Sequence, residues 1–286
     1  MAPIHIVHTT QAEKIDRRRV LMFPLFPDST ATLGVYQALK ILGYRPYHLY
    51  ELCMVGGDPH WETMIQGMHA HHDKLSSPTC QPPYTKREFD KWFAGYDAVV
   101  EVPSYFGTDC LEAYAADPEV KFILTERTAR SWARSFNSFC GGIVRAIEQP
   151  SLSILRHFSR TLNYFCIMNV DAYNLWSDST RPGDSRNEEA LIRNYERYIR
   201  DVKRVIPPER MLVVKLEDGL GWEKICAYLD KEVPKDVPFP RAVNHEDVKD
   251  RWLGPVVRDA TVRFVLSVSL PVVLGVSVWW RWSRSR

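Results

Sequence analysis

Several features that classify a chain quickly are missing from this one. Its six cysteines, Cys53, Cys80, Cys110, Cys140, Cys166 and Cys226, contain no CxxC pair. That gives no sign of a zinc ribbon or a dithiol redox centre, and reduced thiols of a cytosolic protein are expected. The net charge is only +2 over 286 residues, which offers no argument for a nucleic-acid partner. Residues 1–19, MAPIHIVHTTQAEKIDRRR, hold no apolar h-region and do not read as a secretory signal. There is no internal repeat and no low-complexity linker. With 45% apolar and 25% charged residues, the composition supports a packed core in one large domain with or without an appendage.

Charge is also missing from residues 264–280, FVLSVSLPVVLGVSVWW. Extended to Trp282, this stretch makes a helix about 28 Å long, close to the hydrocarbon thickness of a bilayer. Arg258 and Arg263 precede it, Arg281, Arg284 and Arg286 follow it, and Trp279, Trp280 and Trp282 suit an interfacial belt. Pro271 and Gly275 are tolerated in such helices. The reading is a polar leader (1–18), a globular domain (19–250) and a C-terminal appendage (251–286) with a transmembrane helix over about 264–282. The protein is then expected at a membrane, the endoplasmic reticulum first, with its globular part in the cytosol.

The globular part alternates short apolar runs with helical spacing. Val20–Phe26 reads as a buried strand. Leu33, Tyr36, Leu39 and Leu42 make a helix over 32–43, with Gly43 at its end. PYHLYEL (46–52) reads as a second strand, a short helix is expected around Trp61–Met68, and KREFDKWFAGY is a helix. DAVVEVP (97–103) is a strand and VKFILTE (120–126) the clearest one. Helices follow over ARSWARSFNSFCGGIVRAI, over 151–176 and over 187–205, then a strand MLVVKL (211–216) and a helix GWEKICAYL. Continuous apolar strands between helices predict an α/β fold, a parallel sheet with helices on both faces. Ligands of such sheets bind beyond the carboxyl ends of the strands. The segments to watch are therefore 27–32, 101–105, 126–130 and 215–219.

Four stretches carry a resemblance: the strand-loop-helix at 20–43, DAVVEVP, VKFILTERTARSWARSF, and GWEKICAYLDKEVPKDVPFPRAVN with its Gly-Trp-Glu helix and proline-rich tail. Together they resemble the P-loop sulfotransferases, in particular a fungal-type branch, over about residues 19–250. The resemblance implies a three-layer α/β sandwich and a donor, phosphoadenosine phosphosulfate. It assigns the strand-loop-helix corner, here with Ser29, Thr30 and Thr32, to the phosphosulfate, and Arg127 with Ser135 to the 3′-phosphate. The corner departs from the family pattern of Pro-(Arg/Lys)-(Ser/Thr)-Gly-Thr-Thr. Here it reads Pro27-Asp28-Ser29-Thr30-Ala31-Thr32, with no glycine and no base. A unit charge pair at 4 Å and an effective dielectric near 20 is worth about 4 kcal/mol, so Asp28 turns attraction for an anion into repulsion. Ser29 and Thr32 also suit plain helix capping.

Transfer to a hydroxyl acceptor needs a base, and Glu101 in VVEVP is the candidate, with His48 and its neighbour Glu51 second. The run His69-Ala70-His71-His72 lies in a loop-like region, and no metal site is expected there. Two readings stand. In one, the chain is a biosynthetic enzyme for a hydrophobic small molecule of secondary metabolism, diverged toward a donor-independent reaction such as cyclisation or isomerisation, with Glu101, Asp28 or His48 as acid or base and no cofactor required. In the other it is a non-catalytic scaffold that associates with other biosynthetic enzymes. Sulfuryl transfer from phosphoadenosine phosphosulfate remains the family's own alternative.

Overall fold

A computed structural model describes residues 20–24, 29–75, 82–240 and 249–284. Its centre is a parallel sheet of five strands: β1 (Val20–Pro24), β2 (Pro46–Tyr47), β3 (Ala98–Val100), β4 (Lys121–Glu126) and β5 (Met211–Lys215). Their spatial order is β2-β3-β1-β4-β5. The register pairs Tyr47 with Val99, Leu21 with both Val99 and Phe122, and Leu124 with Val213. All strands run one way, so each connection crosses over a face of the sheet.

Successive strand residues point to opposite faces, and two cores form accordingly. Ala98, Val100, Ile123 and Val214 pack under α1 (Ser29–Ile41) and α10 (Trp222–Leu229). Val99, Phe122 and Leu124 face the larger core. That core is built by α3 (Gly57–His71), α4 (Lys86–Trp92), α5 (Asp109–Ala115), α6 (Ala129–Glu148), α8 (Arg160–Ser177) and α9 (Asn187–Val205). The three-layer α/β arrangement expected from the sequence is present.

Helix α1 ends where the sequence places its stop. Gly43 takes φ +87°, and the Tyr44 amide donates back to the Leu39 carbonyl at 2.9 Å. The second expected strand is cut short. Only Pro46 and Tyr47 pair, and the chain then enters the one-turn helix α2 (Leu49–Glu51). The cause is a capping box: His48 Nδ1 accepts from the Tyr50 amide at 2.9 Å, and Glu51 accepts from the His48 amide at 3.0 Å. The expected single helix over 151–176 is broken into α7 (Pro150–Leu155) and α8. Ser159 adopts extended backbone and caps α8 by accepting from the Leu162 amide.

The C-terminal segment corrects the transmembrane expectation. Residues 264–282 are not one helix. α11 (Gly254–Phe264) runs into a π-type turn over Val265–Ser269 and then α12 (Leu270–Arg284). Among the described residues, no helix is long and apolar enough to cross a membrane. A helix the length of α12 rises about 22 Å, short of the roughly 30 Å hydrocarbon layer. Pro271, which has no amide hydrogen, sits in the first turn of α12, where proline starts a helix but cannot continue one. The residues before the break pack on the domain. Trp252 stacks on Trp61 at 5.5 Å, and Ala260 is buried with Ile147, Leu162 and Cys166.

Trp61 joins α3 to this C-terminal layer and is 1% exposed. Truncation to alanine leaves a large cavity, so Trp61→Ala should lower unfolding free energy by about 3–5 kcal/mol. Urea denaturation checks this, and a change under about 1 kcal/mol would contradict the packing.

Candidate active site

The parallel strands bring Tyr47, Val100, Glu126 and Lys215 to one edge of the sheet. β2 and β3 are neighbours, so the residues that leave them, His48 and Glu101, lie side by side. Their separation is 2.7 Å between His48 Nε2 and a Glu101 oxygen, and both residues are buried, at 5% and 6% exposure. The sequence reading named them as separate candidates; the sheet makes them a pair. The Tyr50 amide donates to Nδ1, which leaves the neutral ring's proton on Nε2, facing Glu101. That contact is close but lies off the line of a hydrogen bond, so the buried Nε2 is without a hydrogen-bond partner among the described residues.

Glu101 itself stands in a strained backbone, with φ 70° and ψ −49°. A non-glycine residue there costs on the order of 1–3 kcal/mol and needs its surroundings to hold it. Ser104 does so, donating its amide and its hydroxyl to the Glu101 carbonyl at 3.0 and 2.7 Å. The carboxylate lies among apolar and weakly polar groups. Burial pushes the thiols of Cys53 and Cys140 and the Tyr105 hydroxyl up, and the charge of Glu101 adds to each.

A second carboxylate braces His48. Glu51 accepts the His48 amide on one oxygen and the Tyr36 hydroxyl on the other. Tyr36 comes from α1 and lies 5.2 Å from the His48 ring, and Lys40 donates to its hydroxyl at 3.3 Å. Burial raises the Glu51 carboxyl above its usual value, against the lowering effect of Tyr36 and His48. One turn before Tyr36 on α1, Thr32 is 1% exposed, and its hydroxyl has no hydrogen-bond partner among the described residues. Ser29 and Thr30 are the first two residues of α1. Asp28 lies outside the described residues.

At the other side of β1, Arg127 follows β4 and Ser135 lies on α6. Arg127 Nη2 donates to Ser131, one turn nearer than the expected Ser135. The Tyr195 hydroxyl bridges the Arg127 amide and carbonyl at 3.0 and 2.7 Å. Ser135 is half-buried. The histidine run divides three ways: His69 meets Asp171 at 2.7 Å, His71 bridges Asp109 and the Tyr84 amide, and His72 contacts the Tyr105 carbonyl at 2.7 Å. These contacts tie α3 to its neighbours. A concavity of about 330 Å³ opens beside the turn that follows Glu101, with Ser104, Gly107, His72, Trp176 and Arg197 in its wall. Tyr36, Tyr105, Trp132 and Phe136 are all core residues.

The sulfotransferase domain family matches residues 28–248. The chain belongs to that family. A relative from Aspergillus versicolor, Ava biosynthesis cluster protein M, is 28% identical over 214 residues, covering 72% of this chain and 74% of the relative. A solved sulfotransferase from Alicyclobacillus acidocaldarius aligns over 89% of this chain and 97% of its own at 12% identity. Its TM-score of 0.37 is too low to carry a structural argument.

Family membership implies phosphoadenosine phosphosulfate, and the groups present fit it only in part. Thr32 offers a buried hydroxyl that has no partner among the described residues, as a phosphate contact would need. At the Arg127 corner some donors already have protein partners. Beside the Ser131 bond, the Thr128 amide at the start of α6 already donates to the Glu217 carboxylate at 2.8 Å.

The sequence reading named Glu51 only as a companion of His48, and its link to Tyr36 spans 15 residues of sequence, so no spacing shows it. Because Glu51 has a raised folded pKa, the native state holds its proton more firmly than the unfolded state does. Its stabilising contribution is present below the ordinary carboxyl value of 4.5 and fades as pH rises through the higher folded value. Glu51→Gln removes that titration. The stability of wild type relative to Glu51→Gln should fall as pH rises from 4.5 toward neutrality. Parallel thermal melts check this; a constant or rising difference would overturn it.

Proposed function

We propose that the chain is a secondary-metabolite enzyme that moves a proton within a hydrophobic small molecule, and that it needs no sulfuryl donor. The observation that carries this reading is the buried His48–Glu101 pair at the carboxyl edge of the sheet. A carboxylate and an imidazole N–H in contact, the N–H not yet engaged in a hydrogen bond, form a base with an adjacent donor. Glu101 would take a proton from an acidic C–H or O–H of the substrate. The electron pair would shift within the substrate to close a ring or move a double bond, while the His48 Nε2 proton steadies an oxygen that gains charge. The Glu101 carboxyl would exchange its proton with solvent and then give one to a second position. Nothing is oxidised, reduced or transferred from a donor, which is the balance of a cyclisation or isomerisation.

Three further points support the reading. The corner that serves the donor in the family has Asp28 where a base is expected and Thr30 in place of glycine. Glu101 is strained, as functional residues often are. The relative from Aspergillus versicolor bears a biosynthesis-cluster name. Sulfuryl transfer keeps the support of family membership and of the Thr32 hydroxyl, which has no partner among the described residues. In that case Glu101 would deprotonate the acceptor hydroxyl instead.

The test is product formation by the purified protein on its pathway intermediate without donor. Wild type should turn over, and Glu101→Gln should reduce kcat by about 10²–10⁴-fold, the usual contribution of a general base. Turnover that appears only when phosphoadenosine phosphosulfate is added would replace this reading with sulfuryl transfer.

A further inference from the structure

The Arg127 corner holds an anion that belongs to the protein. Glu217 lies just after β5, the strand next to β4, and its Oε1 accepts the Thr128 amide at 2.8 Å. Thr128 is the residue that enters α6, a helix of 20 residues whose first amides have no intrahelical acceptor and whose dipole has its positive end there. Arg127 and Lys215 are near enough for their charges to hold the carboxyl of Glu217 below its usual range, after the Thr128 amide itself. Arg127 meanwhile spends Nη2 on Ser131, and its amide and carbonyl on the Tyr195 hydroxyl. Amide, helix end and cations are the parts of a phosphate cradle, and here a carboxylate accepts the amide and lies in the field of the cations.

We propose that Glu217 is a built-in anion that substitutes for a nucleotide phosphate at the Arg127 corner and excludes the nucleotide. The proposal explains why a chain of this family would work without a donor, but its test needs no substrate and so stands or falls separately from the reaction proposed above. A bound phosphate group would have to displace Glu217 or share the corner with it. Like charges repel there, and the displaced carboxylate would lose its hydrogen bond. Because Glu217 is exposed, displacement is a matter of competition and not of unfolding. Removing its charge should therefore open the corner while the fold stays intact.

The experiment uses the full chain and adenosine 3′,5′-bisphosphate as probe, read by calorimetry and by thermal shift at low salt. Wild type should show no saturable binding. Glu217→Gln should bind on the order of tenfold or more tightly than wild type, and the double variant Glu217→Gln/Arg127→Ala should lose that gain. Glu209→Gln, an exposed charge elsewhere, serves as the control for net charge and should behave as wild type. Adenosine without phosphates should bind none of the four proteins. Wild type binding the bisphosphate as well as Glu217→Gln does would overturn the proposal, and so would a gain that survives Arg127→Ala or appears equally in Glu209→Gln. A folded Glu217→Gln that gains nothing also overturns it, with circular dichroism and the unliganded melt showing that it is folded.

Discussion

The parallel pairing of β2 with β3 is the constraint on which the site depends. Each strand is only two or three residues long, yet the pairing of Tyr47 with Val99 decides which side chains emerge together at the carboxyl edge. It puts an imidazole against a carboxylate where little water reaches either. Two buried titratable groups in contact are costly unless each satisfies the other, so the pair is held from outside. Ser104 fixes the Glu101 carbonyl, the Tyr50 amide fixes the His48 ring, and Glu51 fixes the His48 backbone. The Tyr36–Glu51 bond then ties the whole edge to α1. A shift of α1 would therefore reach His48 through one carboxylate.

Strain and orphaned donors occur at this edge together. Glu101 has a positive φ, His48 Nε2 lacks an aligned acceptor, and the Thr32 hydroxyl has none among the described residues. Cores normally satisfy such groups. Their coincidence at the end of a parallel sheet, where α/β folds place ligands, is the physical basis for placing the chemistry here. At the Arg127 corner, Ser131 accepts from Nη2, the Tyr195 hydroxyl accepts the Arg127 amide, and Glu217 accepts the Thr128 amide.

Much of this fold was legible in the sequence, because continuous apolar runs such as VKFILTE and the amphipathic helix over 187–205 are strong local signals. The errors share one cause, in that a local cap or break outweighed hydrophobic content. HLYE reads as a strand by composition, but the His48–Glu51 capping box turns it into a helix. Ser159 splits a stretch that periodicity runs together, and the turn over Val265–Ser269 divides an apolar segment long enough by count to span a bilayer. The residues of the site were visible one at a time. Their meeting was not, since His48 and Glu101 are brought together by strand pairing and Glu217 reaches Thr128 across 89 positions of sequence.

The central claim is that Glu101, beside His48, moves a proton within the substrate. Solvent deuterium incorporation tests it most directly. The purified chain, given its pathway intermediate in deuterium oxide without donor, should return product carrying one deuterium at the position that is reprotonated, and Glu101→Gln should incorporate none at a comparable time. Product that forms at the wild-type rate in Glu101→Gln, or that carries no solvent deuterium while gaining a sulfate group, would contradict the account.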